Sequence, residues 1–203
     1  MTKPFSQACE NNKQPILSAI DHYFSNSQEV LEVGSGTGQH AVYFAEQMPD
    51  LIWQTSDQLQ YHEGITQWLQ EANLPNALLP IELDVTRQWP NKIYQGIFSA
   101  NTTHIMSWPM VEAFFNGVGE HLEVNGHFCL YGPFNFCGEF TSDSNRQFDA
   151  SLKSQDEAMG IRDYVDLEEL ARQSQLVFVE KREMPANNHL LVWQKSINSK
   201  ISL

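Results

Sequence analysis

Basic residues are scarce in this chain, and cysteines are scarcer. Lys and Arg number 12 against 25 Asp and Glu, a formal net charge of −13. Phosphate contacts supply most nucleic-acid affinity, so a surface this negative, without a Lys/Arg cluster, ranks DNA and RNA below small molecules and proteins as partners. Cys9, Cys129 and Cys137 are odd in number and far apart, with no C-x-x-C pair. That pattern excludes a disulfide framework and a cysteine zinc site, and no metal is expected. It points to free thiols in a reducing cytoplasm. No apolar run approaches the length of a membrane span. Residues 1–10 are polar and hold no apolar stretch of a secretory signal. Internal repeats and low-complexity segments are missing too. What remains is an ordinary soluble composition, and 203 residues fit one domain, 1–203, with a substantial core.

The chain is organised around Val30-Leu31-Glu32-Val33-Gly34-Ser35-Gly36-Thr37-Gly38-Gln39-His40. The apolar run reads as a short central strand of a parallel sheet, the glycines as a tight loop, and 39–47 as a helix. Glycines leave no Cβ between the backbone and a ligand. The helix N-terminus aims its N–H groups into the loop, which favours an anionic or carboxylate-bearing ligand. A dinucleotide fingerprint requires G-x-G-x-x-G. Here the third glycine, Gly38, comes one residue early and Gln39 takes its place. The spacing E-x-G-x-G-x-G instead resembles the first motif of class I S-adenosylmethionine (SAM) methyltransferases, with Glu32 as the strand acid. An ordinary βα turn is the plainer reading of the glycines alone.

Strands are expected at 51–55, 77–83, 94–100 and 127–131, alternating with helices at 58–73 and from Ser107-Pro109 onward. Residues 1–28 carry an N-terminal cap: 1–14 irregular, then a helix with Pro15 in its first turn and Ile16, Ala19, Ile20, Tyr23 and Phe24 on one face. Asn125-Gly126 is expected as a turn, and Asp166 with Glu169 as a capping box for the last helix. Strands 176–184 and 189–194 suggest a terminal hairpin, followed by a frayed tail at 196–203. Residues 133–165 read as an ordered lid with one short helix, anchored by Phe134, Phe136, Phe140, Phe148 and Ile161.

Acids stand at three successive strand ends. Asp57 follows the glycine loop by roughly 20 residues, the offset of a ribose-binding acid in nucleotide folds. Its alternative role is a helix cap. Asp84 can accept from an adenine amine while the adjacent Val85 backbone faces a ring nitrogen, or it can be a loop acid. Asn101 and His104 leave the fourth strand beside the expected methyl position, and Tyr131 leaves the fifth. His104, titrating near neutrality, is a candidate proton acceptor. Arg162 can fork onto a substrate carboxylate, or pair internally with Asp163 or Asp166.

From Phe5 to Trp193 the chain resembles a family of class I SAM methyltransferases of unassigned function. The narrower likeness rests on Pro15-Ile16-Leu17, Asn101 with His104-Ile105, Tyr131-Gly132-Pro133-Phe134, Ser144-Asn145 with Phe148-Asp149, and Gly160-Ile161-Arg162-Asp163. Two positions depart from it: Asn11, where the family tends to carry Arg, and Met159, where it tends to carry Trp. The resemblance implies a Rossmann-like α/β fold, a seven-stranded sheet with helices on both faces and a C-terminal antiparallel hairpin. It implies SAM as cofactor, held by Glu32, Gly34, Ser35, Gly36, Gly38, Asp57, Gln58, Asp84, Val85 and Asn101. It further implies catalytic roles for His104 and Tyr131, substrate contacts at Asn145 and Arg162, and methyl transfer to a small-molecule or protein acceptor. A silent SAM- or partner-binding protein and an NAD-dependent oxidoreductase are the competing classes.

Overall fold

The computed structural model describes residues 3–87 and 89–197. In chain order it runs α1 (Gln7–Phe24), β1 (Glu29–Val33), α2 (Gln39–Gln47), β2 (Ile52–Asp57), α3 (His62–Ala72), β3 (Ala77–Glu82), β4 (Tyr94–Ala100) and α4 (Trp108–His121). It continues with β5 (Leu122–Gly132), β6 (Phe134–Asn135), α5 (Asp143–Gln155), β7 (Arg162–Asp163), α6 (Tyr164–Gln173), β8 (Leu176–Met184) and β9 (Asn188–Lys195). Seven strands form one sheet in the order β3-β2-β1-β4-β5-β9-β8. The first five are parallel, and β9 inserts antiparallel between β5 and β8. The strand order reverses between β1 and β4, the place where open α/β sheets bind ligands.

Alternation along the strands divides the core between two faces. Val30, Trp53, Phe98, Cys129 and Val192 pack under α1, α2 and α3 with Ile16, Ile20, Phe44 and Ile65. Leu31, Ile97, Phe128, Leu130 and Trp193 face α4 and α6 through Val111, Phe114, Phe115 and Leu167. Each large side chain buried this way contributes about 1.5–3 kcal/mol. None of the described helices is long and apolar enough to cross a membrane.

Four local expectations are corrected. Residues 7–14 are helical: Ser6 caps α1 by accepting from the Cys9 N–H, and Pro15 lies well inside the helix. Proline there forgoes one hydrogen bond, which the burial of Ile16, Ala19 and Ile20 outweighs. Asn125-Gly126 is an irregularity within β5, with Asn125 at φ 69, and the β4–β5 register jumps from Tyr94↔Leu122 to Gly96↔His127. Asp163, accepting from the Val165 N–H, caps α6, so Asp166 falls in the first turn and Glu169 instead pairs with Arg172. The lid helix is a full α5 of 13 residues. Of the expected tail, 198–203 lie outside the described residues.

Candidate functional site

The glycine loop lies at the carboxyl edge of β1. Gly34, Gly36 and Gly38 all have left-handed φ (78, 57 and 88). The N–H groups of Gly34 and Ser35 both donate to the Ser56 carbonyl at 3.0 Å, tying the loop to the end of β2. A Cβ on Gly34 would stand 2.6 Å from Thr102 Cγ2, whereas a Cβ on Gly36 would meet nothing within 4 Å. Gly36 therefore borders open space, and Gly34 is wedged against the loop after β4.

Three cavities adjoin this loop; one, of about 380 Å³, lies between Gly36-Thr37 and Tyr61-Gly64, and the other two meet over the loop. The first of these two, about 380 Å³, is lined by Asp57, Gln58 and Tyr61 and by the apolar Leu83, Val85, Met106 and Met110. The second, about 600 Å³, lies on the other side, under α1 (Cys9, Asn12) and α5 (Ser144, Asn145, Phe148). Both cavities share Gly34, Gly36, Ala100 and Asn101. Asn101 holds the junction with φ 59 and donates its N–H to the Tyr131 carbonyl at 2.8 Å. A non-glycine residue in that conformation costs of order 1–3 kcal/mol and is typical of ligand clamps.

Asp57 accepts from the Gly36 N–H through one oxygen and from the Gln58 N–H through the other, both at 2.8 Å. Burial raises its pKa, against the pull of those two amides. Helix capping is not its role: the turn Leu59–Tyr61 is preceded by Gln58, and α3 by Tyr61. Asp84 is placed otherwise. Its carboxylate takes the Thr86 N–H (3.0 Å) and hydroxyl (2.7 Å) and pairs with Arg87 at 3.4 Å. Leu83 and Val85, both buried just beyond the end of β3, line the first cavity and Asp84 does not.

Glu32 lies beneath the loop, 1% exposed, accepting from the Trp53 indole at 3.1 Å. It and Gly38, which packs against Ile65 of α3, line neither cavity. Burial lifts the Glu32 carboxyl to about 7, with the Asp57 charge adding and the Ser35 and Trp53 hydrogen bonds opposing. An acid so raised favours the folded state while protonated. That contribution is complete below 4.5 and is lost as pH rises through about 7. His40 and His104, each lowered to about 4 mainly by burial, act with the opposite sign: their contribution is complete above 6.5 and lost as pH falls through 4. The difference between the wild-type protein and Glu32→Gln isolates the acid. It is expected to move by about 3 kcal/mol in favour of the variant on raising the pH through this window, measured by denaturant unfolding. A constant difference would mean that Glu32 is ionised throughout.

Gln39, visible in sequence only as a missing glycine, is the clamp of the N-terminal segment. Its Oε1 accepts from the Ser6 N–H at 2.6 Å, and its Nε2 donates to the Ser6 carbonyl (3.3 Å) and to Glu10 (2.7 Å). His40 pairs with Asn12 at 2.7 Å. Together they hold α1 over the loop.

Among the expected acceptor-side groups, His104 and Asn145 line the second cavity; Tyr131 and Arg162 line neither. Tyr131 is 1% exposed, and burial pushes its pKa up. Asn145 donates to Thr141 Oγ1 (2.8 Å) and to the Asn187 carbonyl (3.0 Å), which joins α5 to the turn before β9. His104 does not titrate near neutrality. Arg162 makes no ion pair with Asp163 or Asp166. Its guanidinium donates to the carbonyls of Thr103 (3.1 Å), Met106 and Ala158 (2.8 Å). It fastens β7 to the loop after β4. Arg162→Lys is expected to cost about 2 kcal/mol of melting stability, since a single ammonium cannot serve three carbonyls. Hydrogen exchange over 141–163 should quicken with it; unchanged exchange there would show that the fork fastens nothing.

A seven-stranded sheet of this order, with a glycine loop, a β2-end acid and a β4-end asparagine around one edge, defines the class I methyltransferase fold. Within it the chain belongs to the family described as protein of unknown function DUF938, whose model matches residues 3–195. Among solved structures it is similar to an O-methyltransferase family protein from Burkholderia thailandensis, with TM-score 0.82 and 13% identity over 93% of this chain and 57% of that one. It is also similar to human N-acetylserotonin methyltransferase in complex with SAM (TM-score 0.78, 13% identity, 94% of this chain and 53% of that one). PigF with SAH gives TM-score 0.78 and 14% identity over 92% and 56%. The chain thus spans little more than half the length of these proteins, and the likeness is one of fold.

Proposed function

We propose that this protein is a SAM-dependent methyltransferase acting on a small molecule. The observation that carries the reading is the pair of cavities meeting over Gly34, Gly36 and Asn101, with Asp57 beside the first. The residues fit the cofactor: at Gly36 a side chain would occupy the open space that a bound molecule must cross to reach both cavities. Asp57 would hold the ribose hydroxyls, and Leu83, Val85, Met106 and Met110 would enclose the adenine. The start of α2 would face the methionine carboxylate. When bound, SAM supplies an electrophilic sulfonium methyl for in-line transfer. The chain's contribution is to hold donor and acceptor in line and exclude water, which can account for much of the acceleration. Residues 133–165 act as the lid, seated by the β6–β7 pair of Phe134-Asn135 with Arg162-Asp163. The neighbours named with SAM and SAH support the cofactor, and the three free cysteines suit a cytoplasmic setting. Calorimetry with SAM, S-adenosylhomocysteine and NAD(H) tests the reading. Micromolar-range binding of the first two and much weaker binding of NAD(H) are expected; tight NAD(H) binding without SAM binding would sink it.

A further inference from the structure

The second cavity is built without charged side chains in a chain of net charge −13. None of its lining residues is Asp, Glu, Lys or Arg, against 25 acids and 12 bases overall. Its wall carries instead the amides Asn12, Asn101, Asn145 and Asn188 and the imidazoles His40 and His104. One helix, α5, begins at this wall through Ser144 and Asn145, on the side away from the start of α2. Its positive dipole end favours negative charge there.

His104 is the buried polar side chain there with an unpartnered atom. It is 6% exposed, and its Nδ1 has no hydrogen-bond partner among the described residues. A histidine that takes a proton in catalysis has its second nitrogen held by a carboxylate or carbonyl, which stabilises the imidazolium. His104 lacks that support, and its charged neighbour is the Arg162 guanidinium on β7, a cation. The other titratable groups around it are equally unsuited. Burial pushes up the Cys9 thiol on α1 and the Tyr131 phenol on β5. His40 on α2 is engaged by Asn12. Asp149 on α5 accepts from the Ile161 N–H at 2.8 Å and pairs with Lys153 at 2.6 Å. The site offers no base near neutrality and no carboxylate to hold an ammonium group.

We propose, on the methyltransferase reading above, that the acceptor is a small organic acid, bound in the second cavity and methylated as its anion: a carboxylate, a thiolate or an acidic phenolate. The acceptor's lone pair forms the bond to the methyl carbon, and the carbon–sulfur pair stays on sulfur. The acceptor's negative charge and the sulfonium's positive charge cancel, and no proton moves. A neutral wall suits this charge recombination, because it places no fixed charge that either partner must desert. An amine would arrive protonated, find no counter-charge, and need a base that is missing.

The test uses the purified full chain with methyl-labelled SAM and benzoate, thiophenol, 4-nitrophenol or benzylamine, alongside the small-molecule fraction of a cell extract. Products are separated by anion exchange. Label is expected in neutral esters, thioethers or ethers derived from acids, and not in amines. For the thiol and the phenol, the rising limb of the pH–rate profile should follow each acceptor's own acidity. Calorimetry on the SAM-loaded protein gives a readout independent of turnover: the acids bind and benzylamine does not. Ser144→Asp, a substitution that a first helical turn tolerates, should weaken acid binding about tenfold by placing like charge in the wall. Ser144→Asn should not. Label in amines, a pH limb fixed whatever the acceptor, or SAM binding with no labelled product from any source would overturn this assignment and leave the cofactor reading standing. Loss of SAM binding itself would instead overturn the methyltransferase reading.

Discussion

Gly36→Val is expected to weaken SAM binding roughly 100-fold while leaving the protein folded. The position has φ 57 and open space where a Cβ would stand. Valine there strains the backbone by about 2 kcal/mol, a left-handed conformation that L-residues avoid, and its Cβ meets no protein atom within 4 Å. Its branch methyls instead occupy the space common to both cavities. Overpacking of that kind costs about 3 kcal/mol of binding, or roughly 100-fold in affinity. Gly138→Val is the matched control. Gly138 has φ 81, equally open surroundings and no part in either cavity. It should lose similar melting stability and keep its SAM affinity. Equal losses of affinity in both variants would mean that the loop is not where the cofactor binds.

Asp57→Ala is expected to cost about 1.5–3 kcal/mol of SAM affinity, the range for hydrogen bonds to a charged group, or roughly 10- to 100-fold. Each carboxylate oxygen already accepts one backbone N–H, from Gly36 and from Gln58. Each keeps further lone-pair capacity on the cavity side. The variant therefore loses both the ribose contact and the brace on Gly36. Its stability should change less than its affinity, because removing a half-buried carboxylate also relieves its desolvation. Calorimetry and thermal melting on one preparation separate the two effects. A loss of stability with SAM affinity intact would assign Asp57 to loop structure alone.

The local grammar of the fold is readable residue by residue. The apolar run Val30 to Val33, the glycines after it and the helix 39–47 fall where expected, as do the strand Tyr94–Ala100 and the terminal strands. These depend on periodicity and turn chemistry over a few neighbouring residues, which a sequence displays directly. Gly34, Gly36, Asp57, Gln58, Val85 and Asn101 reach the first cavity for the same reason, since strand ends and the loops after them collect at one edge of a parallel sheet.

The direction in which a side chain spends its hydrogen bonds is not local. Gln39 meets Ser6 across 33 positions, and Arg162 meets the Thr103 carbonyl across 59. Nothing in the spacing of either residue names those partners. Asp84, Tyr131 and Arg162 line neither cavity, and Asp84 and Arg162 spend their hydrogen bonds on nearby residues. His104 does reach the second cavity, but the burial that sets its ionisation comes from α5 and β7, elements folded over it from far along the chain. Sequence alone thus determined the sheet, the loop and the edge where the two cavities lie, because backbone geometry and alternation are written in adjacent residues. Only the tertiary structure decided which polar groups stay free to act, because hydrogen-bond partners and desolvation arise from contacts that close when the whole chain has packed.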